Sequence, residues 1–216
     1  MRPPRLPPLL REIVQTGILA ADGITFTDRT ACPACGGSLA PHDVKERKFA
    51  VLATGDGERT VSVHVKRFYC RSCHTLSYAE APFYPETRIG SPVVDLCLGL
   101  SMTMPVNRVA AYLEELGVSA DRTTCRLYVR SGQDAVATNA SCLATNVLFG
   151  IHLPVSVISL SDLVSRSTPG KTISGNDILT ACGFPSRHEI PRNLPCPGKN
   201  GGAWRGIDRR GPGARV

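Results

Sequence analysis

A chain of 216 residues, 42% of them hydrophobic, can hold one ordinary domain or two small ones and is too apolar to be disordered throughout. No apolar run reaches the roughly 18 residues a membrane-spanning helix needs, and Arg11 and Glu12 interrupt the apolar stretch near the N-terminus, so neither a span nor a secretory signal is expected. The formal charge of +7 is unevenly placed: Arg187 to Val216 carries seven bases against two acids, a net of +5, and Asp28 to Cys73 carries eight against five, a net of +3.

Residues 9–20 place Leu9, Leu10, Ile13 and Val14 on one stripe, which predicts a short amphipathic helix started by Pro7-Pro8 and stopped by Asp22-Gly23. Ile24 to Thr27 reads as a short strand. It leads to Cys32-Pro-Ala-Cys35, matched further on by Cys70-Arg-Ser-Cys73. Two Cys-x-x-Cys pairs suit a tetrahedral metal site, because two intervening residues let both thiols of one turn reach the same ion, and four thiolates favour zinc. Between the pairs, Lys48–Ala53 and Thr60–Tyr69 are expected to be strands joined at Gly55-Asp56-Gly57-Glu58. Val61, Val63 and Val65 would face one way, with Arg67 and Tyr69 continuing that face, and Ser62, His64, Lys66 and Phe68 the other. Two knuckles and a hairpin describe a zinc ribbon, with one structural Zn²⁺ on Cys32, Cys35, Cys70 and Cys73. His42, His64 and His74 are spare, since four thiolates already saturate zinc. The remaining cysteines, Cys97, Cys125, Cys142, Cys182 and Cys196, are scattered singly, which fits a reducing compartment better than a disulfide framework.

Past an extended connector, Ser91 is a candidate cap and Pro92 a first-turn residue for a helix reaching about Met102. Pro105 opens a second helix, with Val106, Val109, Ala110, Leu113 and Leu116 at helical spacing until Gly117. Asp121 can cap a third, Arg122 to about Arg130, in which Cys125 and Val129 face inward and Arg122, Thr124, Arg126 and Arg130 face out. Three short helices, the last presenting arginines beyond a Gly-containing turn, describe a helix-turn-helix unit. Any small helical bundle would share that pattern. Val147 to Leu163 is apolar enough for a strand or a helix, whereas Ser165–Gly175 and Pro191–Val216 are rich in Ser, Gly, Pro and Arg.

The order of these parts, from the Cys-x-x-Cys ribbon through Tyr69-Cys-Arg-Ser-Cys73 and Pro82-Phe-Tyr-Pro85 to Val109-Ala-Ala-Tyr-Leu-Glu-Glu-Leu-Gly117, resembles the N-terminal region of prokaryotic insertion-sequence transposases and related ribbon-bearing proteins of unassigned function. The likeness covers about residues 28–130. It implies zinc on the four cysteines and a recognition helix presenting Arg122, Thr124 and Arg126. The hairpin is longer than in many such ribbons, and Tyr128 stands where those helices often carry Trp. The catalytic domain of such transposases needs three metal-binding carboxylates, and no strand pattern after Arg130 sets three acids around one site.

The expectation is therefore an α+β chain divided into 1–27 (helix and short strand), 28–80 (zinc ribbon), 81–130 (connector and helix-turn-helix), 131–186 (a segment without clear pattern) and 187–216 (a largely disordered basic tail). It is expected to be a cytoplasmic, non-enzymatic protein that binds double-stranded DNA, nucleoid-associated when bound, with Arg122, Thr124, Arg126 and Arg130 of the third helix as DNA contacts, Arg122 or Arg126 reaching base edges, and Lys66 and Arg67 at phosphates. No membrane or small-molecule partner is expected, and a homodimer is compatible with it. The alternatives are a ribbon that binds protein, and a transposase fragment lacking its nuclease domain.

Overall fold

A computed structural model describes residues 6–85, 87–136, 145–167 and 172–184. The fold is α+β. Helix α1 (Pro8–Leu19) precedes strands β1 (Thr25–Phe26), β2 (Leu39–Thr54), β3 (Gly57–Cys70) and β4 (Leu76–Tyr78). Helices α2 (Ser91–Ser101), α3 (Val106–Glu115) and α4 (Arg122–Val136) follow, then β5 (Thr145–Leu148), β6 (Ile151–Pro154), α5 (Val155–Arg166) and α6 (Gly175–Ala181). No helix among the described residues is long and apolar enough to cross a membrane.

A long antiparallel hairpin dominates. β2 and β3 pair from Leu39 opposite Cys70 to Thr54 opposite Gly57, closing on the Gly55-Asp56 loop. β1 (parallel) and β4 (antiparallel) share the other edge of β3. β2 begins at Leu39, well before the expected Lys48. Residues 41–48 are almost all exposed and offer no alternation to read, and bulges between Pro41 and Val44 and between Lys48 and Ala50 break the period. Val61, Val63 and Val65 are fully buried, as their alternation predicts. Beyond them burial changes sides: Phe68 and Cys70 are inside, while Arg67 is half-buried and Tyr69 exposed.

The turn end of the hairpin is built into a helical body. The Ala53 N–H donates to Gly117 O (2.9 Å) and the Ser119 N–H to Val51 O (2.8 Å), so the loop after α3 lies along β2. From α1, Arg11 and Gln15 both donate to Ala53 O, at 2.6 and 2.9 Å. Helices α2, α3 and α4 pack on one another, and α1 packs along α5. That last contact depends on Gly17, where a Cβ would stand 2.7 Å from Val157 O. β5 and β6 form a hairpin whose turn residues Phe149 and Gly150 both have positive φ (51° and 77°), the backbone of a type I′ turn, and β6 rests on α2. The described part of 131–186 is thus the end of α4, which runs past the expected stop near Arg130, and four further elements joined to the same core. Val147–Leu163 is strand and helix in succession.

Helix starts follow local chemistry. Asp121 caps α4, its Oδ1 accepting the Thr124 N–H at 2.8 Å. At α2 the cap is Gly90, not Ser91: Gly90 donates its N–H to Phe49 O (2.8 Å), and a Cβ there would overlap the Phe49 ring. Ser91 is drawn inside the first turn and buried. The 187–216 tail, Cys142 and Cys196 lie outside the described residues.

Candidate metal centre

The two Cys-x-x-Cys turns meet at the open end of the hairpin. The first ends where β2 begins, and β3 runs into the second. Their backbones repeat one design. In the first, Gly36 N–H donates to Cys32 O (2.9 Å) and Cys32 N–H to Gly37 O (3.0 Å). In the second, His74 N–H donates to Cys70 O (3.1 Å) and Cys70 N–H to Thr75 O (3.0 Å). Both turns need positive φ at the residue after the second cysteine, 71° at Gly36 and 59° at His74. Glycine adopts this without steric cost. His74 is held there by its ring, whose Nδ1 lies 2.6 Å from the Tyr69 hydroxyl. Gly37 serves a different need: a Cβ would stand 2.5 Å from Ser72 Oγ, so only glycine lets the turns close on each other.

This design brings the Sγ atoms of Cys32, Cys35, Cys70 and Cys73 all within 4.8 Å of one another. Cys32 to Cys73 is 3.6 Å and Cys35 to Cys70 is 3.5 Å. A tetrahedron of sulfurs about 2.3 Å from a central ion has edges of about 3.8 Å, so these separations suit a shared metal. The four cysteines could hold a metal ion.

The surroundings lower some thiols and raise others. Cys32 falls to about 6, first through the backbone N–H of Ala34 and then that of Cys35. Cys73 is lowered too, first by the Thr75 hydroxyl, 3.0 Å from its Sγ. Cys35 accepts the Gly37 N–H (3.4 Å), which lowers it, yet the neighbouring Cys73 and Cys70 sulfurs push it up to about 12. Four packed sulfurs cannot all ionise unaided, and a cation at their centre removes the conflict. The sequence places Gly36 and Gly37 in a turn needing positive φ, which only Gly36 adopts, whereas the Thr75 bond to Cys73 and the Tyr69–His74 pair escape the sequence reading. The signal available was the repeat itself, since Gly36 aligns with His74 and Gly37 with Thr75.

The other residues of interest lie apart from the cysteines. On α4, Arg122, Arg126 and Arg130 are exposed, and Arg126 donates to Asn107 Oδ1 (2.7 Å). Thr124 is half-buried in the Asp121 cap, its hydroxyl 2.7 Å from Oδ2. Arg67 makes a two-pronged ion pair with Asp43, which holds that carboxyl far below the usual range, and Lys66 has its Nζ 5.5 Å from the centre of the Phe68 ring. Cys97 and Cys125, distant in sequence, bring their Sγ atoms to 4.0 Å in the buried α2–α4 contact. No protein-family model, curated protein or solved structure matches the chain.

Proposed function

We propose that the protein binds duplex DNA through α4 and that one structural zinc ion fixes the base of its long hairpin, the whole acting like the DNA-binding region of a transposase. Zinc is favoured over other metals because an all-thiolate tetrahedral set is its typical structural site. The observation that carries the DNA reading is the face of α4. Arg122, Arg126 and Arg130 follow one another at one-turn intervals on a helix that closes a packed three-helix group after the Gly117 turn. A guanidinium has five N–H donors, so Arg126 keeps most of its fork after bonding Asn107. Lys66 would meet phosphate. Arg67, already matched by Asp43, would contribute less to affinity.

A protein-binding face is the second reading, favoured by Leu127, 59% exposed in the middle of the arginines. Selection on randomised duplexes separates the two. The chain used should end at Phe184, which keeps every described element and drops all of the +5 of the tail; ending at Arg130 would strip α5 from α1. On the DNA reading, Arg126→Ala relaxes preference at one base pair by about 1–3 kcal/mol, and Lys66→Ala weakens all sequences alike and lowers the salt slope by about one. If the shortened chain has no affinity for any duplex while the full chain binds weakly and salt-sensitively, the tail carries the binding and the α4 assignment is wrong.

A further inference from the structure

The core-side face of the hairpin changes character along its length. Near the turn it carries Val61, Val63 and Val65. On the neighbouring strand β2, Lys45 is registered opposite Val65 and Arg47 opposite Val63, so these two cations extend the core-facing side of the sheet. They line a cleft of about 750 Å³, with Arg29, Tyr78, Tyr84 and Phe184 among its other walls. Among the described residues, three bases reach this cleft against one carboxylate, Glu80.

The cleft is preorganised. Arg47 is half-buried, its guanidinium 3.7 Å from the centre of the Phe83 ring and 5.9 Å from that of Tyr78, and it donates to Thr87 O at 3.0 Å. Arg29 is tied by its Nε to Tyr78 O. Tyr84 lies 5.8 Å from Phe184, centre to centre, and its hydroxyl donates to the buried Asp95 at 2.6 Å. Arginines fixed beside aromatic rings at the wall of a cleft select a ligand that is anionic at one end and flat at the other. The volume suits a single nucleotide.

We propose that this cleft binds a nucleoside phosphate, with Lys45, Arg47 and Arg29 at the phosphate and the base stacked on Tyr78 or on the Tyr84–Phe184 wall. The ligand is either a free nucleotide or one unit of a single strand. None of these residues belongs to α4, so the site stands or falls independently of duplex binding.

The test titrates the full-length protein, by calorimetry, with AMP, adenosine, inorganic phosphate and single-stranded (dA)6. Lys45→Glu and Tyr78→Ala serve as variants because both side chains are exposed, and a thermal melt confirms that each still folds. The proposal predicts that AMP or (dA)6 binds at least about tenfold more tightly than adenosine or phosphate, and that each variant weakens this by about tenfold or more. Saturation by AMP points to a free nucleotide; saturation by (dA)6 alone points to a strand. Phosphate binding as tightly as AMP would leave a bare anion site and overturn the proposal. So would the absence of binding by both AMP and (dA)6 at millimolar concentration, or affinity unchanged in both variants, which would put the ligand elsewhere.

Discussion

The two ends of the hairpin are held in opposite ways. At the turn end, Leu52, Val61 and Val63 are fully buried, and α1 and the loop after α3 bond to β2. At the knuckle end β2 is mostly exposed, and order comes from repeated backbone turns and four converging sulfurs. One end is held by apolar burial and the other, on the proposal, by a shared metal ion, so each should fail under a different stress.

The largest effect expected is from metal removal. Structural zinc sites contribute about 10–16 kcal/mol in small zinc-finger peptides, so a chelator should release the knuckles while the body stays folded. Hydrogen exchange would show this as lost protection at Cys32, Gly36, Cys70 and His74 with protection kept at Ala53 and Ser119. Equal loss at both ends would make the hairpin one cooperative unit and break the comparison.

Acidity should separate the ends more gently and with opposite signs. Protons compete with metal for thiolates, so the knuckle end weakens as pH falls. In the body, burial raises Asp95 from the ordinary 3.8 to about 6, against the opposing hydrogen bonds from Tyr84 and Ser156. A carboxyl whose folded pKa is raised contributes fully below about 4 and loses that contribution as pH climbs to about 6. The loss is on the order of 3 kcal/mol. Asp95→Asn should flatten this dependence and be at least as stable as the parent at pH 7, measured by denaturant melts across pH on metal-loaded protein. A variant that keeps the full slope would remove Asp95 from the account.

How far these features could be read in the sequence follows the same division. α1, α3 and α4 were legible to within a residue or two at their starts, because Pro8, Pro105 and Asp121 act locally. The cysteine cluster was legible because spacing alone encodes it. The first half of β2 was not, since its strand character comes from pairing with β3 rather than from its own polar residues. The packing of α5 on α1 was hidden for a related reason: Gly17 matters only because Val157 lies against it, and nothing near either residue announces the other. Asp95 sits in an apolar helix where only its partners, Tyr84 and Ser156, explain it.

The smallest effect concerns the second knuckle. His74→Gly should relieve about 1 kcal/mol of left-handed strain, offset in part by the lost Tyr69 bond. Made in a Tyr69→Phe background, the same change should gain more than in the parent, a difference that a double-mutant cycle of metal-loaded melts can read. Equal gains would mean the two rings do not hold each other.

The central claim is that four cysteines share one ion, and cobalt substitution tests it most directly. Titrating Co²⁺ into the reduced protein should produce the visible bands of a tetrahedral thiolate site, saturating at one ion per chain and displaced by Zn²⁺, and Cys70→Ser should weaken or abolish them. A spectrum with no thiolate bands, or one that Cys70→Ser leaves unchanged, would contradict it.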